Sequence, residues 1–181
     1  IVLLPRQFHT TIVENRKDGK YKSIFDLAKR IDLRAANKKA IENLALAGGF
    51  DSFEGTTRAQ YVHDDGDGIT FYEKAMRYGA KYQENENSSQ VSLFGETSEV
   101  QIAEPVVPPC EDWSTMEKLA KEKEVVGIYI SGHPLDDYKF EMKYFCNVRL
   151  EALKNLEQHV GKNLMFGGII NNVQHRVAKN G

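Results

Sequence analysis

The apolar positions between residues 23 and 49 predict two short helices joined by a tight connection. In "SIFDLAKRI" apolar residues recur at helical spacing, and Ser23 with Asp26 gives a capping-box-like start. A second apolar stripe runs through "KKAIENLALAGG", with Asn37 as N-cap and Gly48-Gly49 at its end. A helix over residues 8–17 is predicted to precede them, so the first part of the chain reads as helical.

Three more elements follow before the C-terminus. The polar turn "HDDGDGIT" precedes a predicted helix from about Ile69 to Gln83, whose aromatic residues at near-helical spacing favour core packing. Ser114 and Glu117 form a capping box for a helix through "TMEKLAKEKEVVGIYIS". "GHPLDDY" should break that helix, and Pro134 suits the first turn of the next one.

The last stretch, "NLMFGGIINNVQHRVAKNG", is predicted to be a β-strand. One strand cannot make a sheet, so the chain is expected to stop within a domain. The fold class is therefore mainly α with the beginning of a β domain. Four regions are predicted: a helical region (1–83), a flexible acidic linker (84–112), connecting helices (113–160) and the first strand of a truncated β domain (161–181).

Residues 82–112 interrupt the helical pattern. They hold seven acidic residues and no Lys or Arg, a composition typical of a loop or linker. Within them Val91, Leu93 and Phe94 form a small apolar group. These side chains either pack onto their own domain or bind another protein.

Charge and cysteine content narrow the class of protein. The net charge is −2, but residues 14–60 carry ten Lys/Arg against seven Asp/Glu, which is compatible with phosphate contacts there. Cys110 and Cys146 lack a C-x-x-C partner and are expected to be free thiols. No apolar run is long enough to span a bilayer and no signal-peptide pattern is present, so a cytoplasmic chain is expected.

Lys38 and Lys39 are the candidate anion-binding residues. They open the helix that Asn37 caps, where unpaired backbone N–H groups favour phosphate, and Arg34 lies in the preceding loop. The alternative is that the lysines are only a solvated helix face.

The sequence supports neither a calcium site at residues 63–74 nor a catalytic role for His133. An EF-hand register that places Gly68 at position 6 puts His63 at position 1 and Lys74 at position 12, so calcium is not predicted. His133 has no nucleophile placed beside it by motif, and a capping or packing role is expected. No catalytic residue and no metal ligand is assigned.

Four stretches in this order and spacing closely resemble the C-terminal half of the bacterial DNA polymerase III alpha subunit, the C-family replicative polymerase. They are "YKSIFDLAKRIDLRAANKKAIENLALAGGFDSF", "TTRAQ", "SSQVSLFG" and "MEKLAKEKEVVGIYISGHPLDDY". The resemblance covers residues 11–181, and the last stretch is highly specific.

The resemblance implies a tandem helix-hairpin-helix element that grips duplex DNA by its backbone. Residues 23–49 are similar to its second unit, which implies DNA contacts at Arg34, Asn37, Lys38 and Lys39. At the first unit, "IVLLPRQFHT" departs from the family's glycine hairpin, and Pro5 with bulky neighbours cannot supply open backbone amides. The first hairpin is therefore not expected to bind DNA.

The resemblance also implies a partner protein for the linker. "QVSLF" is similar to the family's internal motif for the ring-shaped sliding clamp (the beta subunit), at Gln90, Ser92, Leu93 and Phe94. Residues 161–181 resemble the start of an OB-fold associated with single-stranded template. Other replisome subunits are further expected partners, and no membrane is.

The polymerase palm, with its catalytic aspartates and two metal ions, lies N-terminal to this segment in the family. The chain is thus expected to be a non-catalytic part of a DNA-directed DNA polymerase, needing no cofactor itself, with Mg²⁺ serving the parent enzyme. The alternative is a stand-alone, non-enzymatic adapter that joins DNA to the clamp. An upstream reading frame that encodes the palm aspartates would decide for the polymerase.

Overall fold

Seven α-helices are present in the described part of the chain, and they divide between two compact units. The computed structural model describes residues 6–91, 102–170 and 172–176. The first unit is Ile1–Ile130 and the second is Ser131–Gly181. The helices are α1 (Arg6–Asn15), α2 (Ile24–Arg30), α3 (Lys38–Leu46), α4 (Arg58–Val62), α5 (Phe71–Val91), α6 (Thr115–Val126) and α7 (Lys139–Tyr144). The mainly α fold class is confirmed.

The predicted caps Ser23, Asn37 and Ser114 start α2, α3 and α6, and a further capping box, which was not predicted, joins Thr57 and Gln60 at the start of α4. The Ser23 side chain accepts from the Asp26 N–H, and the Asp26 carboxylate accepts from the Lys22 N–H at 2.9 Å. Asn37 caps α3 by accepting from the Ala40 N–H at 2.7 Å. Each side chain satisfies a donor that the first helical turn leaves without a backbone partner.

The core of the first unit lies between α2 and α5. Gly79 of α5 permits their close approach, because a Cβ built there would lie 2.5 Å from the carbonyl oxygen of Ala28. One turn further on, Gln83 Nε2 lies 2.9 Å from the Ala28 oxygen and 2.9 Å from the Ile31 oxygen, at the end of α2. As predicted, Phe71, Tyr72 and Tyr78 of α5 are core residues, whereas Tyr82 is only half-buried. The buried aromatic group comprises Phe8, Phe25, Phe50, Phe53, Tyr61, Phe71, Tyr72 and Tyr78.

The segment predicted as a linker is partly ordered in the first unit. Helix α5 continues to Val91, past the predicted end at Gln83, because extending a formed helix costs far less than nucleating one. After the gap, Ile102 and Val107 pack against the core, and Glu104 forms a 3.3 Å salt bridge with Lys29. The linker prediction was therefore wrong for residues 84–91, which are helical.

Helix α6 begins at the predicted capping box but ends earlier than predicted. Gly127 takes a left-handed conformation, with φ of 87°, and its N–H donates to the Lys123 oxygen at 2.9 Å. This is the usual geometry of a glycine that terminates a helix. The units divide after Ile130, whereas boundaries were predicted at 113 and 161, because α6 packs within the first unit through buried Leu119 and Glu122.

The second unit holds short helical elements. 3₁₀ turns at Asp136–Tyr138 and Leu150–His159 flank α7. His133 has the predicted capping role, since its Nδ1 accepts from the Leu135 N–H at 3.1 Å. Cys146 and, in the first unit, Cys110 are both free thiols.

The predicted C-terminal strand is not observed in the described residues. Residues 162–170 and 172–176 form neither helix nor strand. Met165 instead bonds to Asn147, whose N–H donates to the Met165 oxygen and whose Oδ1 accepts from the Met165 N–H, both at 2.9 Å. A strand needs a ladder of hydrogen bonds to a neighbouring strand, and these residues have none.

Candidate nucleic-acid interface

The predicted DNA-binding residues lie together on the connection from α2 to α3. Arg34, Asn37, Lys38 and Lys39 are all exposed there. The connection is anchored at its base, because the Asp32 N–H donates to Thr11 Oγ1 of α1 at 3.1 Å. Asp32 Oδ1 in turn accepts from the Arg34 N–H at 2.9 Å. A loop held in this way loses little conformational entropy when it binds a ligand.

The two lysines at the start of α3 are exposed but have carboxylate neighbours. Lys38 forms an ion pair with Glu73, and Lys39 Nζ lies 3.2 Å from Glu42 Oε2. Their side chains are 68% and 70% exposed. Exposed ion pairs contribute about 0–1 kcal/mol, so Glu42 competes only weakly with a phosphate for Lys39. Glu73, at 14% exposure, is largely buried beside Lys38. The arrangement can bind a phosphate through helix N–H groups and ammonium groups together.

A second basic cluster was not singled out from the sequence. The connection from α1 to α2 reads "RKDGKYK", and the sequence signal was simply four cations within seven residues. Arg16, Lys17, Lys20 and Lys22 are all exposed. Within the described ranges none of these four side chains forms a salt bridge, in contrast to Lys38 and Lys39. We call these four residues the connector cluster.

The acidic turn before α5 is held by the protein's own groups. Asp64 Oδ1 accepts from the N–H groups of Gly66 and Gly68 at 2.8 and 3.0 Å. Lys74 Nζ forms salt bridges of 3.1 Å with Asp65 and 3.0 Å with Asp67, and this ammonium lowers the pKa of Asp67. Across the described ranges, no group of three or more His, Cys, Asp or Glu is placed to hold a metal ion.

The predicted clamp-binding residues fall at the gap in the described chain. Gln90 belongs to the last turn of α5, but its side chain lies outside the described part, as do Ser92, Leu93 and Phe94. Their role stays a prediction.

Comparison with known proteins finds a motif in the first unit and relatives over most of the chain. Residues 3–61, within the first unit, match the helix-hairpin-helix motif. None of the helices in the described ranges combines the length and hydrophobicity needed to cross a membrane.

Over nearly its whole length the chain is similar to DNA polymerase III subunit alpha. It is 34% identical to the protein of Treponema pallidum over 85% of the chain and 38% identical to that of Campylobacter jejuni over 80%. It is 30% identical to that of Escherichia coli over 94%. The chain spans 12% to 14% of the length of these relatives. The resemblance inferred from the sequence motifs is confirmed: the chain is homologous to one segment of DNA polymerase III alpha subunits.

Proposed function

We propose that this chain serves a replicative DNA polymerase by gripping duplex DNA through its backbone. The observation that carries the proposal is the exposed start of α3, where Asn37, Lys38 and Lys39 lie beside the anchored Arg34. The helix-hairpin-helix match and the similarity to DNA polymerase III subunit alpha support it.

The site is suited to phosphate and not to base edges. The Asn37 side chain accepts from the Ala40 N–H and the Asn37 carbonyl oxygen accepts from the Ile41 N–H, whereas the N–H groups of Lys38 and Lys39 have no acceptor within the helix. Those groups and the positive end of the helix dipole attract an anion, and the two ammonium groups add charge. Contacts of this kind position a protein on DNA without reading its sequence. Binding should therefore be indifferent to sequence and strongly dependent on salt.

Duplex binding by the 181-residue chain tests the proposal. Fluorescence anisotropy with a labelled mixed-sequence duplex gives the slope of log K against log salt for the wild type and for Lys38→Gln/Lys39→Gln. Each lost phosphate contact should reduce the magnitude of the slope by about 1. The matched control is Arg77→Gln/Lys81→Gln, which removes the same charge from exposed positions of α5. Equal slopes for the two variants would mean that Lys38 and Lys39 contact no phosphate and are only a solvated face of α3.

Nucleotide transfer is proposed for the parent enzyme and not for this chain. The Mg²⁺ ions expected there would stabilise the attacking and leaving oxygens of the reaction. In the described residues, no group of three or more His, Cys, Asp or Glu is placed to hold a metal ion. The isolated chain should extend no primer in the presence of magnesium, and incorporation above a no-protein control would contradict this.

Binding to a sliding clamp is proposed for Gln90, Ser92, Leu93 and Phe94. The similarity of "QVSLF" to the family's internal clamp motif supports it. The neighbouring chain on each side is fixed to the first unit, by Gln83 before the segment and by Glu104 after it. Leu93 and Phe94 would fill an apolar pocket on the clamp, and the Gln90 amide would fix the register.

A further inference from the structure

We propose that the connector cluster, Arg16, Lys17, Lys20 and Lys22, is a second contact for the phosphate backbone of the same duplex. The inference rests on the proposed duplex binding and adds a site to it. None of these residues belongs to the α2–α3 connection from which that function was argued. The chemistry recognised is a row of phosphates, with no base contact.

The connector cluster is electrostatically unsatisfied within the described structure. Residues 14–22 carry four cationic and two acidic side chains. Lys29, Arg30, Lys38, Lys39, Arg58 and Lys74 of the same unit pair with carboxylates. Arg34, Arg77 and Lys81, like the connector cluster, form no salt bridge within the described residues. Cations brought close together repel one another unless an anion lies between them. A polyanion removes this repulsion and releases its own counterions on binding.

The backbone that carries the connector cluster is held in one conformation. The Arg30 guanidinium donates to the carbonyl oxygen of Asn15 and, at 3.0 Å, to that of Gly19. It also stacks over the Tyr21 ring, 4.5 Å from the centroid, while the Tyr21 hydroxyl donates to the Ile12 oxygen at 2.9 Å. The connection is therefore organised before any ligand binds, which lowers the entropic cost of binding.

The turn itself is closed by a glycine. Gly19 has φ of 123°, and its N–H donates to the Arg16 oxygen at 3.1 Å. A Cβ at Gly19 would have no atom within 4 Å, so space around the turn is open. Gly19 and the four side chains of the connector cluster are exposed to solvent at this turn.

The backbone of the connector cluster lies beside the end of α2 that leads into the α2–α3 connection. Arg30, the last residue of α2, donates to the carbonyl oxygens of Asn15 and Gly19. Arg34 follows four residues later in the chain. The continuous row of phosphates along one duplex can therefore be contacted by both basic segments.

The test compares three charge-matched double variants of the full 181-residue chain on the labelled duplex. Lys17→Gln/Lys20→Gln should reduce the magnitude of the salt slope by about 2 relative to Arg77→Gln/Lys81→Gln. Melting temperatures should stay equal, since the replaced side chains are exposed. If the connector variant matches the Arg77/Lys81 control while Lys38→Gln/Lys39→Gln does not, this inference is overturned and the proposed function stands.

Two further outcomes are distinguishable in the same assay. If the wild type binds no duplex, the proposed function fails and the connector contact fails with it. A labelled polyglutamate probe replaces the duplex in a parallel titration. Loss of polyglutamate binding with unchanged duplex binding in Lys17→Gln/Lys20→Gln would assign the cluster to an acidic protein and overturn the inference.

Discussion

Arg58 of α4 and Glu122 of α6 form a buried ion pair, with Nη1 of the guanidinium 2.7 Å from Oε1 of the carboxylate. The side chains are 6% and 0% exposed. Arg58 Nε also donates to Asp51 at 2.9 Å, and Glu122 Oε2 accepts from the Ile130 N–H at 2.7 Å. Bonds to Asp51 and then to Glu122 raise the pKa of Arg58, which stays charged. This pair fixes α6 to α4 within the first unit, which also carries the proposed DNA-binding residues.

Replacing Glu122 by Ala should destabilise the first unit by about 3 kcal/mol. Removal of one partner leaves a buried charge uncompensated, and the value is near the low end of the usual range because Asp51 still pairs with Arg58. Urea unfolding followed by fluorescence of the single tryptophan, Trp113, measures the change. The control is Glu124→Ala on the exposed face of the same helix, for which about 0.5 kcal/mol or less is expected. Equal effects of the two changes would refute the assigned role of the pair.

Replacing Asn37 by Asp should separate helix capping from DNA binding. Asp caps a helix about as well as Asn and suits the positive end of the dipole, so the free energy of unfolding should be unchanged or slightly higher. Duplex affinity should fall, because the new charge repels a phosphate at the start of α3. Asn37→Ala, which loses the cap, should cost about 1 kcal/mol of stability. Duplex affinity of Asn37→Asp equal to that of the wild type would exclude a phosphate from this position.

Replacing Leu93 and Phe94 together by Ala should abolish binding to a sliding clamp. Burial of two large apolar side chains gains on the order of 1.5–3 kcal/mol each, and ordering the segment takes back part of it. A peptide spanning residues 87–96 should therefore bind with a dissociation constant around micromolar. Titration calorimetry of the peptide, of the intact chain and of the double variant against a sliding clamp measures the dissociation constants. A fall of several degrees in the melting temperature of the intact double variant, with no clamp binding by the wild type, would make these residues part of the core.

Acidification should weaken the capping of α6. The hydroxyl and N–H of Ser114 lower the pKa of Glu117, so its contribution is present above the unfolded pKa and is lost as the pH falls through the folded value. The difference in melting temperature between wild type and Glu117→Gln should therefore shrink between pH 7 and pH 3. In the second unit, bonds from the His133 N–H and from Lys139 likewise lower the pKa of Asp136. Acid should therefore also weaken the turn that begins at Asp136. If the difference in melting temperature stayed the same from pH 7 to pH 3, the charge of Glu117 would not contribute to the capping of α6.

The sequence by itself determined the local elements of this protein. Ser23, Asn37 and Ser114 were recognised as caps because a cap depends on residues within one helical turn. Apolar spacing identified α2, α3 and most of α5 for the same reason, and the quoted motifs identified the relationship to DNA polymerase III alpha subunits. Lys38 and Lys39 were recognised as candidate phosphate-binding residues because they occupy the first turn of a predicted helix.

Only the tertiary structure decided which distant residues meet. Arg58 and Glu122 are separated by 64 positions, and nothing in the local pattern pairs them. The same holds for Gln83, which contacts carbonyl groups at the end of α2, and for Arg30, which organises the connection before it. Salt bridges likewise distinguished the paired Lys38 and Lys39 from the connector cluster. These contacts form only when helices pack, because long-range pairing depends on the burial of the whole core and not on the residues nearby in the chain.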